Sequence, residues 1–433
     1  MGCVSSFYDR LEQDGSEAIN AQIQEEFNVL LSLSCFYMKL DKKNRYWQTS
    51  LCFAIFFFLT YHLVQFMITA YLAKDQLVTL AFSLSIAITY LFSTLLAVLV
   101  ISSRRDLNKF IRRCISNFYE YKNEDATDDA ERLRSRGKKE RIALLIGGPI
   151  SVGLCILFVL FMTPLVDKYS PVKLSLEDIP KSINVQLPVA VWLPVQVEDT
   201  TTIYALSLLQ IIAALPIGVT MPAAISTYMF CVQQITIQME LLNDSLVRLE
   251  TRANRLMKIL FPYAKLGHLT KRHPYFQYCV KECLKENVKH HQSILLGFDE
   301  SFAIINKPLF CCNYLMTLMI AVSLTGTISS SATYGFKVVS ALMFIVELAA
   351  LSIIHFYGQK LMNLSQVLRE RLYETNWTSY NSSIRSMLVI MLERTKRPLA
   401  INPLGLTSIK WETFAAICNS AYTYTNLMMA LEA

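Results

Sequence analysis

The last predicted membrane span carries polar side chains at a helical spacing. Asn419, Thr423 and Asn426 follow an i, i+4, i+7 pattern, so they share one face of a helix. Amide and hydroxyl groups inside a bilayer need water or protein beside them. One chain offers a single polar stripe, and several copies around an axis would enclose a hydrated passage. The segment that holds the stripe, residues 410–431, is therefore the first candidate for a functional element.

The composition is that of a protein with several membrane spans. Of the 433 residues, 53% are hydrophobic and only 17% are charged, which is atypical of a soluble enzyme. A helix needs about 20 apolar residues to cross the bilayer. Seven segments meet or approach this requirement: 49–72, 77–101, 142–166, 203–232, 309–328, 336–357 and 410–431. Their apolar runs are continuous rather than alternating, which excludes an outer-membrane barrel.

Basic residues predict the orientation of these spans. With seven spans, 36 of the 41 Lys and Arg residues fall on the side of the N-terminus and five on the other side. The positive-inside rule then gives a cytoplasmic N-terminus and an external C-terminus. G-protein-coupled receptors have the reverse orientation, and the chain also lacks their Asp-Arg-Tyr and Asn-Pro-x-x-Tyr motifs. We expect an all-α membrane protein with seven transmembrane helices in this inverted topology.

The loops and spans predict six segments along the chain. Apolar residues at helical spacing in the long fourth loop indicate a packed cytoplasmic region built from extended spans; they are Ile235, Met239, Leu242, Leu246 and Leu249. Residues 16–40 are expected to form an amphipathic helix. The segments are a cytoplasmic N-terminal part (1–48), spans one to four (49–232), a helical anchor region (233–306), spans five and six (307–358), a second anchor region (359–409) and the last helix (410–433).

One external segment, residues 167–202, is long enough to cover part of the bundle. Its four prolines predict irregular structure. Trp192 lies beside Pro194 near the predicted membrane surface. Two interpretations of Trp192 stay open: it is an interfacial anchor, or its loop forms a lid over a ligand entrance.

The sequence predicts neither catalysis nor a bound cofactor. His290-His291 and Cys279-x3-Cys283 lack the further ligands that a zinc site needs. The phosphate-binding, nucleophile-elbow and zinc-protease motifs do not occur. The basic loops are explained by topology, so no nucleic-acid partner is expected. We expect a protein that is not an enzyme and has no metal.

Several motifs together resemble those of insect odorant receptors. The C-terminal third reads Tyr373-x3-Trp377, Ser386-Met387-x3-Met391-x2-Arg394-x3-Pro398 and Ala421-Tyr422-Thr423-Tyr424, and Trp192-x-Pro194 precedes span four. Their order, together with the inverted topology, is similar to that family. Gustatory relatives usually follow their Thr-Tyr with five apolar residues and Gln-Phe, which this chain lacks. The family's co-receptor carries an insertion before span five and is usually longer.

The resemblance implies a function and a set of partners. Members of the family are odorant-gated cation channels that assemble as tetramers in the plasma membrane of sensory neurons. The last helix of each subunit lines a central pore, and the cytoplasmic anchor holds the subunits together. This chain would therefore be a tuning subunit that pairs with odorant co-receptor subunits, or with itself, and that contacts membrane lipid. It would bind a small, volatile, apolar ligand within its transmembrane bundle.

The resemblance also implies site residues. Leu427 and Leu431 would form an apolar gate that excludes water and ions when narrow, and Thr423 and Asn426 would line the wetter part of the pore. Packing of both leucines against spans five and six is the alternative. The odorant site would lie in the outer half of the bundle, at Phe82, Ile86, Tyr90, Gly153, Leu157, Phe158, Phe161, Tyr204, Ser207, Leu208, Ile211, Met343, Phe344 and Glu347.

Glu347 is an acidic residue deep in a predicted span. Its burial cost predicts a polar partner, a water-filled cavity or a role in coupling. Two other functions also stay open: a gustatory-type ligand-gated channel and a metabotropic seven-helix receptor.

Overall fold

The computed structural model describes residues 45–74, 76–115, 199–262 and 271–432, together with scattered positions between 118 and 197. Long helices dominate it: α1 (Arg45–Leu72), α2 (Leu77–Ser102), α3 (Arg104–Ile115), α4 (Thr200–Val247), α5 (Leu249–Leu260), α6 (Pro274–Ile328), α7 (Tyr334–Glu374), α8 (Ser382–Arg394) and α9 (Trp411–Glu432). The N-terminal segment, including the helix expected at 16–40, lies outside the described residues.

Five of these helices are long and apolar enough to cross a membrane: α1, α2, α4, α6 and α7. They correspond to predicted spans one, two, four, five and six. Most of predicted span three lies outside the described part of the chain, which is helical at 135–144, 146–148 and 150–151. The last helix has 22 residues and is not among the five.

Three helices continue far beyond the predicted spans. Helix α6 has 55 residues, which corresponds to about 80 Å, whereas a bilayer core is about 30 Å thick. Helix α4 has 48 residues and α7 has 41. Each begins at a side-chain cap: Asp199 accepts from the Thr202 amide, Thr333 from the Phe336 amide, and His273 precedes Pro274 at the first turn of α6. The helices therefore pass through the predicted boundaries at 232, 306 and 358 without a break.

The main core lies where the extended parts of α4 and α6 meet α3, α5, α7 and α8. The stripe predicted from Ile235 to Leu249 is buried throughout, with at most 3% of any side chain exposed. Close to this core, the guanidinium of Arg113 on α3 donates two hydrogen bonds, of 2.6 and 2.9 Å, to the carboxylate of Glu300 on α6. Apolar burial therefore supplies most of the stabilisation. The bidentate ion pair sets the orientation of α3 on α6.

A short hairpin lies in the segment predicted to be irregular. Strands β1 (Ile183–Asn184) and β2 (Val191–Trp192) pair antiparallel, with Ile183 opposite Trp192. The Trp192 amide donates to the Thr69 hydroxyl (2.9 Å), and the Gln65 side chain donates to the Trp192 carbonyl (3.1 Å). Strand β2 is thus fastened along α1, which corrects the expectation of an irregular loop at these residues.

Candidate functional site

A cavity of about 520 Å³ lies between α1, α2, α4, α6 and α7. Its described lining also includes Leu144, Gly148 and Ser151 from the helical residues before position 152, and Val189 from the hairpin. Most of the lining is aliphatic or aromatic. The volume and the apolar wall suit one small organic molecule, because burial of apolar surface is the main source of affinity for such ligands.

Helix α4 shows why only some of its residues reach the cavity. Ser207, Gln210, Ala214, Ile217 and Met221 line it, and they recur at spacings of three and four residues along one face. Two other predicted residues, Tyr204 and Leu208, lie on other sides of α4 and are 73% and 58% exposed. They do not line this cavity.

The remaining predicted pocket residues fall into three groups. Six line the cavity: Phe82, Ile86, Tyr90, Ser207, Met343 and Glu347. Phe344 is not part of the lining and packs instead against the main core, because it points to a different side of α7 from Met343 and Glu347. Gly153, Leu157, Phe158, Phe161 and the side chain of Ile211 lie outside the described part of the chain.

Glu347 is buried in the wall of the cavity. Its side chain is 7% exposed and accepts a hydrogen bond of 3.0 Å from the Ser323 hydroxyl on α6. Of the alternatives that the sequence left open for this residue, the structure has the polar partner, Ser323. The carboxyl group thus links α6 to α7 at the edge of the ligand space.

Part of the wall was missed by sequence reasoning. Helix α6 contributes residues at regular spacing, and α1 contributes two; they are Ile304, Ile305, Pro308, Leu309, Cys312, Met316 and Met319, and His62 and Phe66. The i, i+4 repeat from 304 to 316 was visible in the sequence. However, a repeat identifies a buried face without identifying what covers it.

The last helix has one face packed on α6 and the other exposed. Ile417, Ala421 and Thr425 are buried, and the Thr425 hydroxyl lies 3.1 Å from the Ala321 carbonyl oxygen of α6, to which it donates. The stripe of Asn419, Thr423 and Asn426 is exposed on the other face.

Leu427, one of the two residues predicted to form the gate, is also on this exposed side. Its side chain is 61% exposed, so the alternative of packing against spans five and six does not hold for this residue. Leu431 lies within α9, and its side chain is outside the described part. In the single subunit the polar stripe and Leu427 therefore form a surface that is available for contact.

The sequence model of the 7tm odorant receptor family matches residues 76–422. The chain belongs to the 7tm odorant receptor family. The resemblance to insect odorant receptors is thereby confirmed. The match includes four of the five helices that enclose the cavity (α2, α4, α6 and α7) and the first half of α9. The family is one of membrane receptors rather than enzymes.

Solved structures support the same fold for this odorant receptor. The chain is similar to the insect olfactory receptor OR5 from Machilis hrabei in complex with eugenol, with a TM-score of 0.69, 12% identity, and coverage of 96% of this chain and 99% of that one. The structure of the same receptor described without eugenol gives a TM-score of 0.68, 12% identity, and coverage of 98% and 99%. A comparison with curated protein sequences gave no match.

Proposed function

We propose that this odorant receptor is a tuning subunit of an odorant-gated, non-selective cation channel. The observation that carries the proposal is the division of α9 into two faces. One face is fastened to α6 through Thr425, and the other presents Asn419, Thr423 and Asn426 outside the subunit. An amide-rich face is costly next to lipid but favourable next to water, so it fits the wall of a pore shared between subunits.

The proposed gate depends on the wetting of an apolar ring. Leu427 and Leu431 narrow the pore in the closed channel and exclude water, whereas Thr423 and Asn426 line a hydrated stretch. An odorant in the cavity opens the gate only if it binds more tightly to the open arrangement of the helices than to the closed one. Support for this coupling comes from α6, which lines the cavity at Met316 and Met319 and holds α9 near Ala321.

The length of the helices supports the proposed topology and cytoplasmic anchor. Seven spans, with the N-terminus in the cytoplasm and the C-terminus outside, place the extended ends of α4, α6 and α7 in the cytoplasm, where they form the anchor between subunits. The complex is a heterotetramer with co-receptor subunits, or alternatively a homotetramer. It lies in the plasma membrane of sensory neurons.

Patch recording tests the role of the subunit. The chain is expressed alone and with a co-receptor, and a panel of volatile compounds is applied. We expect silence from the chain alone and odorant-evoked current from the pair. A tag after Ala433 should be accessible on intact cells, whereas a metabotropic seven-helix receptor would hide it. Silence of the pair over the whole panel, or a tag reached only after permeabilisation, contradicts the proposal.

A pair of leucine variants tests the gate. Leu427→Asn should increase current in the absence of odorant, because a polar ring stays hydrated when narrow. Leu406→Asn is the matched control: this leucine is 63% exposed, against 61% for Leu427, and precedes α9. It should leave the resting current unchanged. Equal behaviour of the two variants contradicts the assignment of the gate.

A further inference from the structure

Helix α1 places one ionisable side chain, His62, in the wall of the cavity. The residue is only 4% exposed. Its ring stacks on that of Tyr90, with centroids 5.5 Å apart, and lies near Phe66. This aromatic and aliphatic environment favours the neutral imidazole, because burial of a charge in an apolar site is costly.

A chain of hydrogen bonds determines which ring nitrogen of His62 carries the proton. The Trp192 carbonyl accepts a hydrogen bond of 3.1 Å from Gln65, so the nitrogen of the Gln65 amide must face it. The Gln65 oxygen, Oε1, then faces Nδ1 of His62 at 3.0 Å. An amide oxygen only accepts, so Nδ1 must be the protonated nitrogen. In the neutral ring, Nε2 consequently has a free lone pair and is a hydrogen-bond acceptor.

Nε2 of His62 is buried and has no hydrogen-bond partner among the described residues. Two other polar side chains in the wall already have partners: the Ser207 hydroxyl donates to the Ile203 carbonyl (2.8 Å), and Gln210 donates to the Val189 carbonyl (3.0 Å). Among the described residues of the lining, His62 alone has a buried side-chain nitrogen or oxygen without a partner. A buried acceptor without a partner costs free energy. His62 lines the cavity, so a donor that reaches Nε2 from the cavity would recover this cost.

We propose that the cavity selects small, mainly apolar molecules with one hydroxyl group, and that this group donates a hydrogen bond to Nε2 of His62. The inference rests on the proposed function of the cavity as the odorant site. Alcohols and phenols satisfy the acceptor. Aldehydes, ketones and esters of the same skeleton bring a second acceptor, and hydrocarbons bring no polar group, so both classes leave Nε2 unsatisfied.

Sets of three compounds that share one carbon skeleton test the selectivity. Benzyl alcohol, benzaldehyde and toluene form one set, and 2-phenylethanol, phenylacetaldehyde and ethylbenzene form another. Binding is measured as ligand-induced thermal stabilisation of the purified receptor, and gating as current in cells. We expect the alcohol to be about fivefold more potent than either analogue. His62→Phe should abolish this preference, whereas Tyr61→Phe, a neighbouring residue that is 45% exposed and outside the lining, should retain it.

A second variant separates hydrogen bonding from packing. Gln65 does not line the cavity, and Gln65→Met leaves the His62 ring in place while removing the group that fixes its proton on Nδ1. Trp192 stays attached to α1 through Thr69. Either nitrogen can then be protonated, so the preference for alcohol over aldehyde should narrow. Gln65→Met also tests the hydrogen bond to Nε2 if His62→Phe does not reach the cell surface.

The outcomes separate the inference from the function on which it rests. An alcohol preference in binding without any current supports the role of His62 and contradicts the channel. Currents with equal potency for alcohol, aldehyde and hydrocarbon support the channel and overturn the inference. Persistence of the preference in both His62→Phe and Gln65→Met also overturns it. Absence of binding and current for every compound counts against both.

Discussion

Mild acid should destabilise the region that holds His290 and His291. Both lie in the part of α6 that the proposed topology places in the cytoplasm, and both are buried. Burial, followed by the neighbouring His291 and Arg252, lowers the pKa of His290 to about 3. Burial and then Arg394 lower the pKa of His291 to about 4. The neutral form of His290 is also satisfied by its partners: the Tyr121 hydroxyl lies 2.6 Å from Nδ1, and Oε1 of Gln238 lies 2.9 Å from Nε2.

The sign and size of the effect follow from these pKa values. In the folded protein the pKa of each histidine lies below the ordinary value of 6.5. At a pH between the folded pKa and 6.5, the imidazole is therefore protonated only in the unfolded chain. Stability is therefore complete above about pH 7 and falls as the pH decreases through 6.5. Each histidine contributes about 1.4 kcal/mol per pH unit below 6.5. A change from pH 7.5 to 5.5 should thus cost about 2.7 kcal/mol for the pair, or about 3 °C of melting temperature for 433 residues.

The assay is thermal unfolding of the detergent-solubilised receptor at several pH values. Size-exclusion chromatography measures the fraction that remains folded after heating. His290→Asn should reduce the dependence on pH by about half of the amount assigned to the pair. Ile294→Val is the control: it removes a buried methyl group one turn away without removing a titratable group, so it lowers stability at every pH and leaves the slope unchanged. An unchanged slope in His290→Asn would refute the argument from burial.

Three further substitutions test contacts that hold the fold around the site. Gly358→Ala should lower stability by about 1–3 kcal/mol, because the new methyl group would lie 2.4 Å from the Ile409 carbonyl oxygen; thermal unfolding measures the loss, and full stability would contradict it. Gln210→Leu should weaken odorant potency severalfold, because it removes the hydrogen bonds between the Val189 backbone and α4. The hairpin would then be attached to α1 alone. Unchanged dose–response curves would show that the hairpin does not shape the cavity. Arg113→Met should lower the free energy of unfolding by about 1 kcal/mol, because it removes a bidentate, partly exposed ion pair between α3 and α6; thermal unfolding measures the loss. Arg113→Lys should recover only part of this free energy.

The helices were predictable because their signals are local. The stripe from Ile235 to Leu249 repeats at three and four residues, which is the period of a helix with one buried face, and that face is buried. The polar stripe of α9 was visible for the same reason. Residue spacing along one helix is a property of the sequence alone, so no knowledge of neighbouring elements was needed.

The hairpin was not predictable from local signals. Its strands have two residues each, and they are held by Thr69 and Gln65, which lie more than 120 positions away in the sequence. The prolines in this segment carried no information about α1. Likewise, Tyr204 and Ser207 are both polar residues of one helix, and only the rotation of α4 in the bundle decides that Ser207 alone faces the cavity.

The role of α6 in the site illustrates the same limit and has a consequence for gating. The repeat from 304 to 316 is typical of a buried helix face, but the partner of that face depends on tertiary packing. Met316 faces the cavity, whereas Ala321, just over one turn later, accepts the hydrogen bond from Thr425 of the last helix. A rigid helix cannot move one of these faces without the other, because its backbone hydrogen bonds fix their relative positions. In the proposed channel, a ligand that favours one position of α6 therefore biases α9 directly, without an intermediate element between odorant and gate.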